Sequence, residues 1–375
     1  MKNTEKIAQL ISKVFSIIVP VDESIIVFES YIGRQFSDNP RAIYNYIREK
    51  YPQYKCYWSI DKNSREKFEG YDLQLIEKGT IRWFFMMARA RFWVSNSRIP
   101  LWVIKSKKTI YLQTWHGTPL KKLALDMDMT HSVLNNPDVY KMEFDRETDR
   151  WDYLISPNNY STAIFKKCFN FNNIMLETGY PRNDYLVNAN NEKTSHALKI
   201  KLGLPLDKKI ILYAPTWRDS TVFNSPIDVQ EMKNNLGDDY ILIVRLHYLV
   251  KKSNDLFEDS DFVKNVTDHN DISELYLVSD LLITDYSSVF FDYSVLKRPM
   301  IFHCFDLENY KNELRGFYFD FERQAPGPIV KTTDELIQAI RKSSEQESSA
   351  EFFKNFLEWE DGNATRRVVE RVFDN

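Results

Sequence analysis

Short apolar segments alternate with helical segments along the chain, and this alternation constrains the fold more than any other feature. Two such series occur, one beginning with SIIVFES at residues 24–30 and the other with KIILYAP at residues 209–215. Strands that are apolar throughout are typical of parallel sheets covered by helices on both faces, and parallel neighbours require a crossover connection, usually a helix. The pattern predicts an α/β protein with two Rossmann-like domains that face each other across a cleft.

The transition between the two series sets the predicted domain boundary. With 375 residues the chain is long enough for two α/β domains of ordinary size, and the polar segment 188–209 is typical of a linker with one helix. We therefore predict an N-terminal domain over residues 1–190 and a C-terminal domain over residues 191–375. One long helix is predicted over residues 350–373, where it would pack back across the domain junction onto the N-terminal domain.

Composition argues against several classes of protein. The net charge of −3 is unlike that of a general nucleic-acid binder, and the three widely separated cysteines form neither a metal motif nor a disulfide framework. No apolar run reaches the roughly 18–20 residues of a bilayer-crossing helix. The N-terminal segment carries Glu5 and lacks a small-residue cleavage site, which makes it a poor signal peptide. We expect a protein that stays inside the cell.

One stretch of the N-terminal half combines basic with bulky apolar residues. Between Glu77 and Asp126 there is no acidic residue. The basic residues of this interval are Lys78, Arg82, Arg89, Arg91, Arg98, Lys105, Lys107, Lys108, Lys121 and Lys122. They are interleaved with tryptophan, phenylalanine and methionine, a composition that suits an anionic membrane surface. We predict a peripheral protein on the cytoplasmic face of the membrane and no nucleic-acid partner; a core helix whose arginines face water is the alternative.

Polar residues gather where the predicted strands end. Four such clusters occur, at residues 113–119, 215–219, 245–247 and 285–288. Ligands of open parallel sheets bind beyond the carboxyl ends of the strands. Because the clusters come from both halves of the chain, we expect both predicted domains to contribute to one binding site.

The residue types in these clusters suit phosphate chemistry. His116 and His247 each end a predicted strand, and an imidazole accepts a proton from an alcohol or, when protonated, holds a phosphate oxygen. Ser287 and Ser288 fall at the predicted start of a helix, where backbone N–H groups favour an anion. His303 also ends a strand, but it lies inside IFHCF and is compatible with a core position.

Three arginines are predicted phosphate clamps, because one guanidinium can bond two oxygens at once. They are Arg182, Arg218 and Arg245; the alternative is a salt bridge with a nearby carboxylate such as Asp184 or Asp219.

The chain has no P-loop, dinucleotide glycine turn, zinc-protease helix or hydrolase elbow. No Asp-x-Asp pair follows a predicted strand. We expect a mechanism that requires neither a metal nor a cofactor.

Several stretches, in order from about Tyr111 to Val330, resemble the CDP-glycerol glycerophosphotransferase family of teichoic acid synthesis. They are QTWHGTPLKKL, GYPRNDYL, ILYAPTWRD, RLH, SDLLITDYSSVFFDYSVLKRPMIFHCFD and YFDFERQAPGPIV, and the earlier ESYIGRQFSDNPRAIYNYI is similar to the start of single-module members. The resemblance implies a GT-B-like fold and CDP-glycerol as donor. It also implies that a hydroxyl group of an undecaprenyl-diphosphate-linked saccharide attacks the donor β-phosphorus, with release of CMP.

The resemblance also implies roles for individual residues. His116 and His247 are implied as the catalytic pair. Our own hypothesis takes His116 as general base and His247 beside Arg245 as stabilisers of phosphoryl charge, and these two roles are interchangeable. The residues expected to bind the donor are Ser287, Ser288, Asp285, Arg245, Thr216, Arg218, Thr267 and Asp271, the last two in the loop implied to approach the cytidine. The residues expected to bind the acceptor or its phosphate are Gly117, Thr118, Arg182, Asn183 and Asp184.

The reaction within the family is open at this point. The chain is short for the family, without the additional N-terminal region of many polymerases, which favours a primase that adds the first glycerol phosphate to the lipid-linked acceptor. A polymerase, or an enzyme of teichoic acid or capsule synthesis that uses CDP-ribitol or another polyol, fits the same motifs. A UDP-sugar glycosyltransferase of the same fold and a non-enzymatic scaffold for other wall-polymer enzymes are the alternatives from other classes.

Overall fold

The structure of the chain, a computed structural model, describes residues 3–127, 137–216, 226–246, 257–307, 316–346 and 349–374. The chain divides into two compact units. The first comprises Met1–His116, Leu123–Asp184 and Glu358–Asn375, and the second comprises Gly117–Lys122 and Tyr185–Leu357. The sequence placed one boundary between residues 190 and 191, whereas the chain passes from one unit to the other after Asp184 and at three further points.

The first unit is built on a seven-stranded parallel sheet. In chain order its strands are β1 (Asp22–Glu29), β2 (Lys55–Ile60), β3 (Gln74–Glu77), β4 (Ala90–Ser95), β5 (Ile110–Gln113), β6 (Tyr153–Ser156) and β7 (Ile174–Glu177). They lie in the order β3-β2-β1-β4-β5-β6-β7, with every neighbouring pair parallel. The order reverses between β1 and β4, the position at which doubly wound sheets open a crevice for ligands.

The second unit holds a six-stranded parallel sheet. Its strands are β8 (Lys209–Tyr213), β9 (Tyr240–Val244), β10 (Val263–Asn265), β11 (Leu281–Thr284), β12 (Met300–His303) and β13 (Ile329–Val330). Their order is β10-β9-β8-β11-β12-β13, again with parallel neighbours. This order reverses between β8 and β11, so each unit has one switch point.

Helices connect the strands in both units. In chain order the described α-helices are α1 (Asn3–Ile18), α2 (Asp38–Lys50), α3 (Ile81–Arg89), α4 (Pro137–Thr148), α5 (Asn159–Cys168), α6 (Asn183–Asn188), α7 (Glu192–Lys201), α8 (Val229–Leu236), α9 (Ile272–Val278), α10 (Val289–Tyr293), α11 (Phe321–Gln324), α12 (Thr333–Arg341), α13 (Ala350–Phe356) and α14 (Ala364–Phe373). Short 3₁₀ helices lie at Tyr31–Gly33, Lys62–Phe68, Ala124–Asp126, Ser294–Leu296 and Ser343–Glu345. Among these described helices, none combines the length and the apolar character of a bilayer-spanning segment.

The predicted α/β class and the two Rossmann-like domains are confirmed, but the prediction of one long C-terminal helix is wrong. Two helices, α13 and α14, replace it. The break contains Gly362 with φ +82°, a left-handed conformation that interrupts a helix and suits glycine. The second of these helices belongs to the first unit, where Val368, Val369 and Val372 join its core and Tyr54 donates a hydrogen bond to the Phe373 carbonyl over 2.7 Å.

Candidate active site

His116 lies three residues beyond the end of β5, in the first unit. Its neighbour Trp115 has φ +51° and donates its backbone N–H to the side-chain oxygen of Gln113 over 2.9 Å. The Trp115 ring stacks on the imidazole with 4.6 Å between ring centroids and 25° between planes. The left-handed turn therefore places a broad aromatic surface against His116 and limits the orientations of its ring.

One hydrogen bond determines which nitrogen of His116 carries the proton. Nδ1 lies 2.7 Å from the backbone oxygen of Asn96, and a carbonyl oxygen can only accept, so Nδ1 donates and Nε2 keeps the lone pair of the neutral ring. The pKa of His116 is lowered, because surrounding protein limits hydration of the protonated ring and Arg182 adds to this effect, against the opposing influence of the Asn96 carbonyl and Asp38. The ring is still accessible to solvent. Such an imidazole suits a general base.

Asn96 also joins the two strands at the switch point of the first sheet. It follows β4 directly, and its side-chain oxygen accepts the backbone N–H of Tyr31, two residues after β1, over 2.8 Å. The same residue therefore holds the loop after β1 through its side chain and the His116 ring through its backbone. Both contacts lie at the carboxyl edge of the sheet, where ligands of this fold class bind.

Arg182 has a buried partner that the sequence did not indicate. Its guanidinium bonds both carboxylate oxygens of Asp38 over 3.0 and 3.1 Å, and the two side chains are only 9% and 5% exposed. The hydroxyl of Tyr31 donates to the same carboxylate, and the guanidinium lies over the Tyr180 ring at 4.5 Å. The salt bridge weighed as an alternative to a phosphate clamp thus exists, with Asp38 rather than Asp184 as the carboxylate.

The carboxylate of Asp38 is held in its charged form. Burial acts to raise its pKa, but Arg182, the Tyr31 hydroxyl, the Asn39 N–H and His116 together lower the pKa below its ordinary value. The Asp38 anion is therefore a permanent neighbour of the imidazole near neutral pH. Its charge favours protonation of His116, and that of Arg182 opposes it.

The other two residues predicted for the acceptor in this unit bond to the C-terminal segment. Asn183 donates its side-chain N–H to Glu360 over 3.1 Å. Asp184 accepts the backbone N–H groups of Ala364 and Thr365 over 2.9 and 2.7 Å, at the start of α14. Burial raises the pKa of Asp184 despite these bonds. The contacts of Asp184 are those of a helix cap, and a role of either residue toward the acceptor stays a prediction.

The switch point of the second unit carries the predicted donor residues. Asp285 follows β11 and accepts the backbone N–H of Thr216, three residues after β8, over 2.8 Å. Ser287 and Ser288 come next, and Ser288 occupies the N-cap position of α10 without a hydrogen bond from its side chain to the helix. The predicted start of a helix at the two serines is therefore observed, although that helix has only five residues.

Gly117 and Thr118 belong to a short segment of this second unit. A Cβ atom added at Gly117 would lie 3.0 Å from Oγ of Ser288, so only glycine leaves that hydroxyl its present position. Thr118 is buried. The segment continues to Leu120, whose carbonyl accepts the backbone N–H of Tyr318 over 3.0 Å. A side chain at position 117 would therefore contact the serine turn.

Three further predicted donor residues serve the loops around β9. Arg245 donates to the backbone oxygen of His269 over 2.6 Å, Thr267 accepts the backbone N–H of Leu246 over 3.1 Å, and Asp271 caps α9. These bonds shape the loop that was predicted to approach the cytidine. Arg218 and His247 lie outside the described residues. The remaining strand-end histidine, His303, is buried at the end of β12, and burial lowers its pKa.

Sequence reasoning missed four residues that surround His116: Tyr31, Asp38, Asn39 and Asn96. None of the four is among the predicted site residues. The sequence does contain a signal for Asn96 and Tyr31, because both follow apolar strands and polar residues after adjacent strands of a parallel sheet meet at one edge. The link from Asp38 to Arg182 spans 144 residues and has no local signature.

A protein-family model matches residues 11–374 and describes a CDP-glycerol:poly(glycerophosphate) glycerophosphotransferase. The chain belongs to this family. It is 50% identical to a teichoic acid poly(glycerol phosphate) polymerase of Bacillus subtilis over 95% of this chain and 49% of that protein. It is 48% identical to a polymerase of the same name from Bacillus spizizenii over 99% of this chain and 98% of that protein. The chain thus spans about half of the first relative and nearly all of the second.

A solved structure of the wall teichoic acid polymerase TagF is also similar. It superposes with a TM-score of 0.91 at 39% identity, over 98% of this chain and 93% of that one. The predicted GT-B-like α/β fold and the predicted membership of the glycerophosphotransferases, a family of transferases, are therefore confirmed. The similarity to polymerases by name gives no support to the preference for a primase, and the match to a polymerase of nearly this length removes the argument from chain length.

Proposed function

We propose that this chain transfers glycerol phosphate from CDP-glycerol to a hydroxyl group of a lipid-linked acceptor of teichoic acid synthesis. Membership of the family supports the donor and the reaction class. The observation that carries the mechanism is the hydrogen bond from Nδ1 of His116 to the Asn96 carbonyl, which leaves Nε2 as a base in a ring whose pKa is lowered.

In the proposed reaction the acceptor oxygen attacks the β-phosphorus of CDP-glycerol. A new O–P bond forms as the bond to the bridging oxygen breaks, the hydroxyl proton passes to Nε2 of His116, and CMP leaves with the bridging oxygen. Ser287 and Ser288 hold the diphosphate, and His247 with Arg245 stabilises the charge on the transferred group. Phosphoryl transfer depends mainly on such positioning and charge stabilisation.

None of these steps uses a metal ion, and the predicted metal independence remains part of the proposal. We expect turnover to survive an excess of EDTA after extensive dialysis. A loss of turnover that Mg²⁺ or Mn²⁺ restores would show that the donor diphosphate is bound together with a cation. Residues such as Asp285 would then need to be reassigned as ligands.

We propose further that the chain adds glycerol phosphate repeatedly. Both Bacillus relatives and the similar solved structure are polymerases by name. The test uses purified protein, a short-chain analogue of the lipid-linked disaccharide with or without one glycerol phosphate, and mass spectrometry of the products. A ladder of glycerol-phosphate additions supports the proposal. One addition to the unprimed analogue alone indicates a primase, and transfer only from CDP-ribitol or a UDP-sugar contradicts the donor.

The acceptor is bound to lipid, and we propose that α1 brings the protein to the membrane. Five large apolar side chains of this helix are exposed to between 43 and 73%: Ile7, Leu10, Val14, Ile17 and Ile18. The helix packs on α3 through Phe15 and Phe85, whose rings are 6.2 Å apart. Exposed lysines on α1 and at positions 107 and 108 add positive charge, so the surface suits insertion among anionic lipids.

Two arginines of the basic stretch are less suited to lipid binding than the sequence suggested. Arg89 pairs with Asp22 over 3.1 Å, and Arg91 pairs with Glu23 over 2.8 Å. Charge reversal at these positions would disturb the fold as well as the surface. The better test changes exposed apolar residues, which have no such partners to lose.

The membrane proposal is tested by sedimentation with vesicles that contain phosphatidylglycerol. The double variant Leu10→Glu and Ile17→Glu should lose most of its vesicle binding. The matched control is Ile200→Glu, because Ile200 is also a helical isoleucine with 60% exposure but lies in the second unit. Equal binding by both variants and the wild type would contradict the role of α1.

A further inference from the structure

Left-handed backbone is concentrated around His116. Within the described ranges, seven non-glycine residues have φ between +46° and +66°, and four of them lie in the loop after β1, at the start of α2 or next to His116: Tyr31, Ile32, Asp38 and Trp115. This conformation is unfavourable for residues other than glycine, above all for a β-branched residue such as Ile32. It persists only where the surrounding contacts enforce it, and such sites are common where function requires a fixed geometry.

The contacts that enforce this backbone centre on Asp38. Its carboxylate is buried, bonds Arg182 twice and accepts the hydroxyl of Tyr31. A buried ion pair is a weak source of net stability, because desolvation of both charges offsets their attraction. Tyr31, fixed through its hydroxyl, donates its backbone N–H to Asn96, whose carbonyl holds the His116 ring. Two residues, Tyr31 and Asn96, therefore link the ion pair to the His116 ring.

A second route reaches the loop of His116 directly. The side-chain amide of Asn39 donates to the carbonyl oxygens of Thr114 and Trp115 over 3.3 and 3.2 Å. Its side-chain oxygen accepts the backbone N–H of Arg182 over 3.1 Å. Asn39, which follows Asp38, therefore links the backbone of Arg182 to the two residues that precede His116.

We propose that Asp38 is a positioning residue for His116, holding the ring and its loop in the geometry of a base through Tyr31, Arg182 and Asn39. This proposal rests on the proposed function of His116 as general base. Asp38 and Arg182 are the charged groups that act on the imidazole, and Tyr31 and Trp115 present their rings to it. The Asp38–Arg182 ion pair has no net charge. The site therefore carries one positive charge only when the imidazole is protonated.

The test compares three variants of the network with one matched control. Asp38→Asn keeps the shape of the side chain and removes its charge, Arg182→Gln removes the positive partner, and Tyr31→Phe removes one hydroxyl. The control is Glu147→Gln. It removes the negative charge from another buried ion pair of the same unit, in which Glu147 and Arg150 are 3.2 Å apart and their side chains are 4% and 15% exposed.

Two readouts separate positioning from a merely structural role. In transfer assays with CDP-glycerol, Asp38→Asn should lower kcat on the order of 10²-fold, since a small misplacement of a reacting group has an effect of this size, while the KM for the donor changes little. In NMR spectra of ¹⁵N-histidine-labelled protein, with the His116 signal assigned by its loss in His116→Gln, Asp38→Asn should lower the pKa of His116 and Arg182→Gln should raise it. Tyr31→Phe should lower kcat less than Asp38→Asn, and Glu147→Gln should leave both readouts near the wild type.

The proposal is overturned if the His116 signal and kcat of Asp38→Asn match the wild type, or if Glu147→Gln causes equal losses. If Asp38→Asn does not fold by circular dichroism, Tyr31→Phe decides, and wild-type kcat with an unmoved His116 signal in that variant overturns the proposal. A wild-type protein that transfers nothing from CDP-glycerol contradicts the proposed function. The NMR shifts do not need substrate, so they still decide whether the network controls the ring.

Discussion

At both switch points of the molecule a side-chain oxygen accepts a backbone N–H, but the residues around this hydrogen bond differ. In the first unit a side-chain oxygen of Asn96 accepts a backbone N–H from the loop after β1, and in the second unit Asp285 accepts one from the segment after β8, both over 2.8 Å. The first bond is surrounded by a buried ion pair and left-handed residues, whereas the second is followed by two serines and a five-residue helix. At this one topological position we therefore propose a base in the first unit and hydroxyl donors in the second.

This contrast predicts that damage to the first switch point affects the chemical step most. His116→Ala should lower kcat by roughly 10²- to 10⁴-fold, the usual contribution of a general base, while CDP-glycerol binds as before. Transfer assays and isothermal titration calorimetry measure the two quantities on the same protein. Near-normal turnover would remove His116 from the mechanism and with it the assignment of chemistry to the first unit.

Substitutions at the second switch point should instead weaken binding of the donor. Ser287→Ala with Ser288→Ala should raise the Kd of CDP-glycerol by about tenfold or more, because a hydrogen bond to a charged group contributes roughly 1.5–3 kcal/mol. Calorimetry against Ser343→Ala, a serine of the same unit in a 3₁₀ helix remote in sequence, provides the comparison. Unchanged donor affinity would contradict a diphosphate site at these serines.

A smaller effect sharpens the same assignment. Gly117→Ala places a Cβ atom 3.0 Å from Oγ of Ser288, so the hydroxyl must shift by a few tenths of an ångström. We expect the Kd of CDP-glycerol to rise by about threefold to tenfold. The change should shrink when Ser288 is already alanine, because the displaced oxygen is then absent. An identical effect in both backgrounds would show that Gly117 acts independently of the serine.

The least pronounced effect concerns pH. A base must be neutral to accept a proton, and the pKa of His116 is lowered from the ordinary histidine value, which is about 6.5. The acid limb of the kcat/KM profile, which reports the free enzyme, should therefore lie below about pH 6.5, and its midpoint should move further down in Asp38→Asn and up in Arg182→Gln. An acid limb above this value would show that another group controls proton transfer.

The sequence predicted those features that depend on local patterns. Apolar strands and the polar residues that follow them located His116, Asp285 and the serine turn, because burial and strand ends leave a mark on consecutive residues. The partner of Arg182 was not predictable in this way, since Asp38 is 144 residues away and Asp184 was the nearer carboxylate. The prediction of one helix over residues 350–373 was wrong, because the chain forms two helices with left-handed backbone at Gly362 between them.

The placement of α14 has a consequence for how the protein is made. The hydrophobic core of the first unit includes Val368, Val369 and Val372 of this helix. The Asp184 carboxylate accepts the backbone N–H groups at the start of the same helix. A nascent chain leaves the ribosome from its N-terminus, so residues 3–184 emerge long before the segment that closes their core. All seven strands of the sheet are made early, but the apolar surface that α14 covers stays open to chaperones until the second unit has been synthesised.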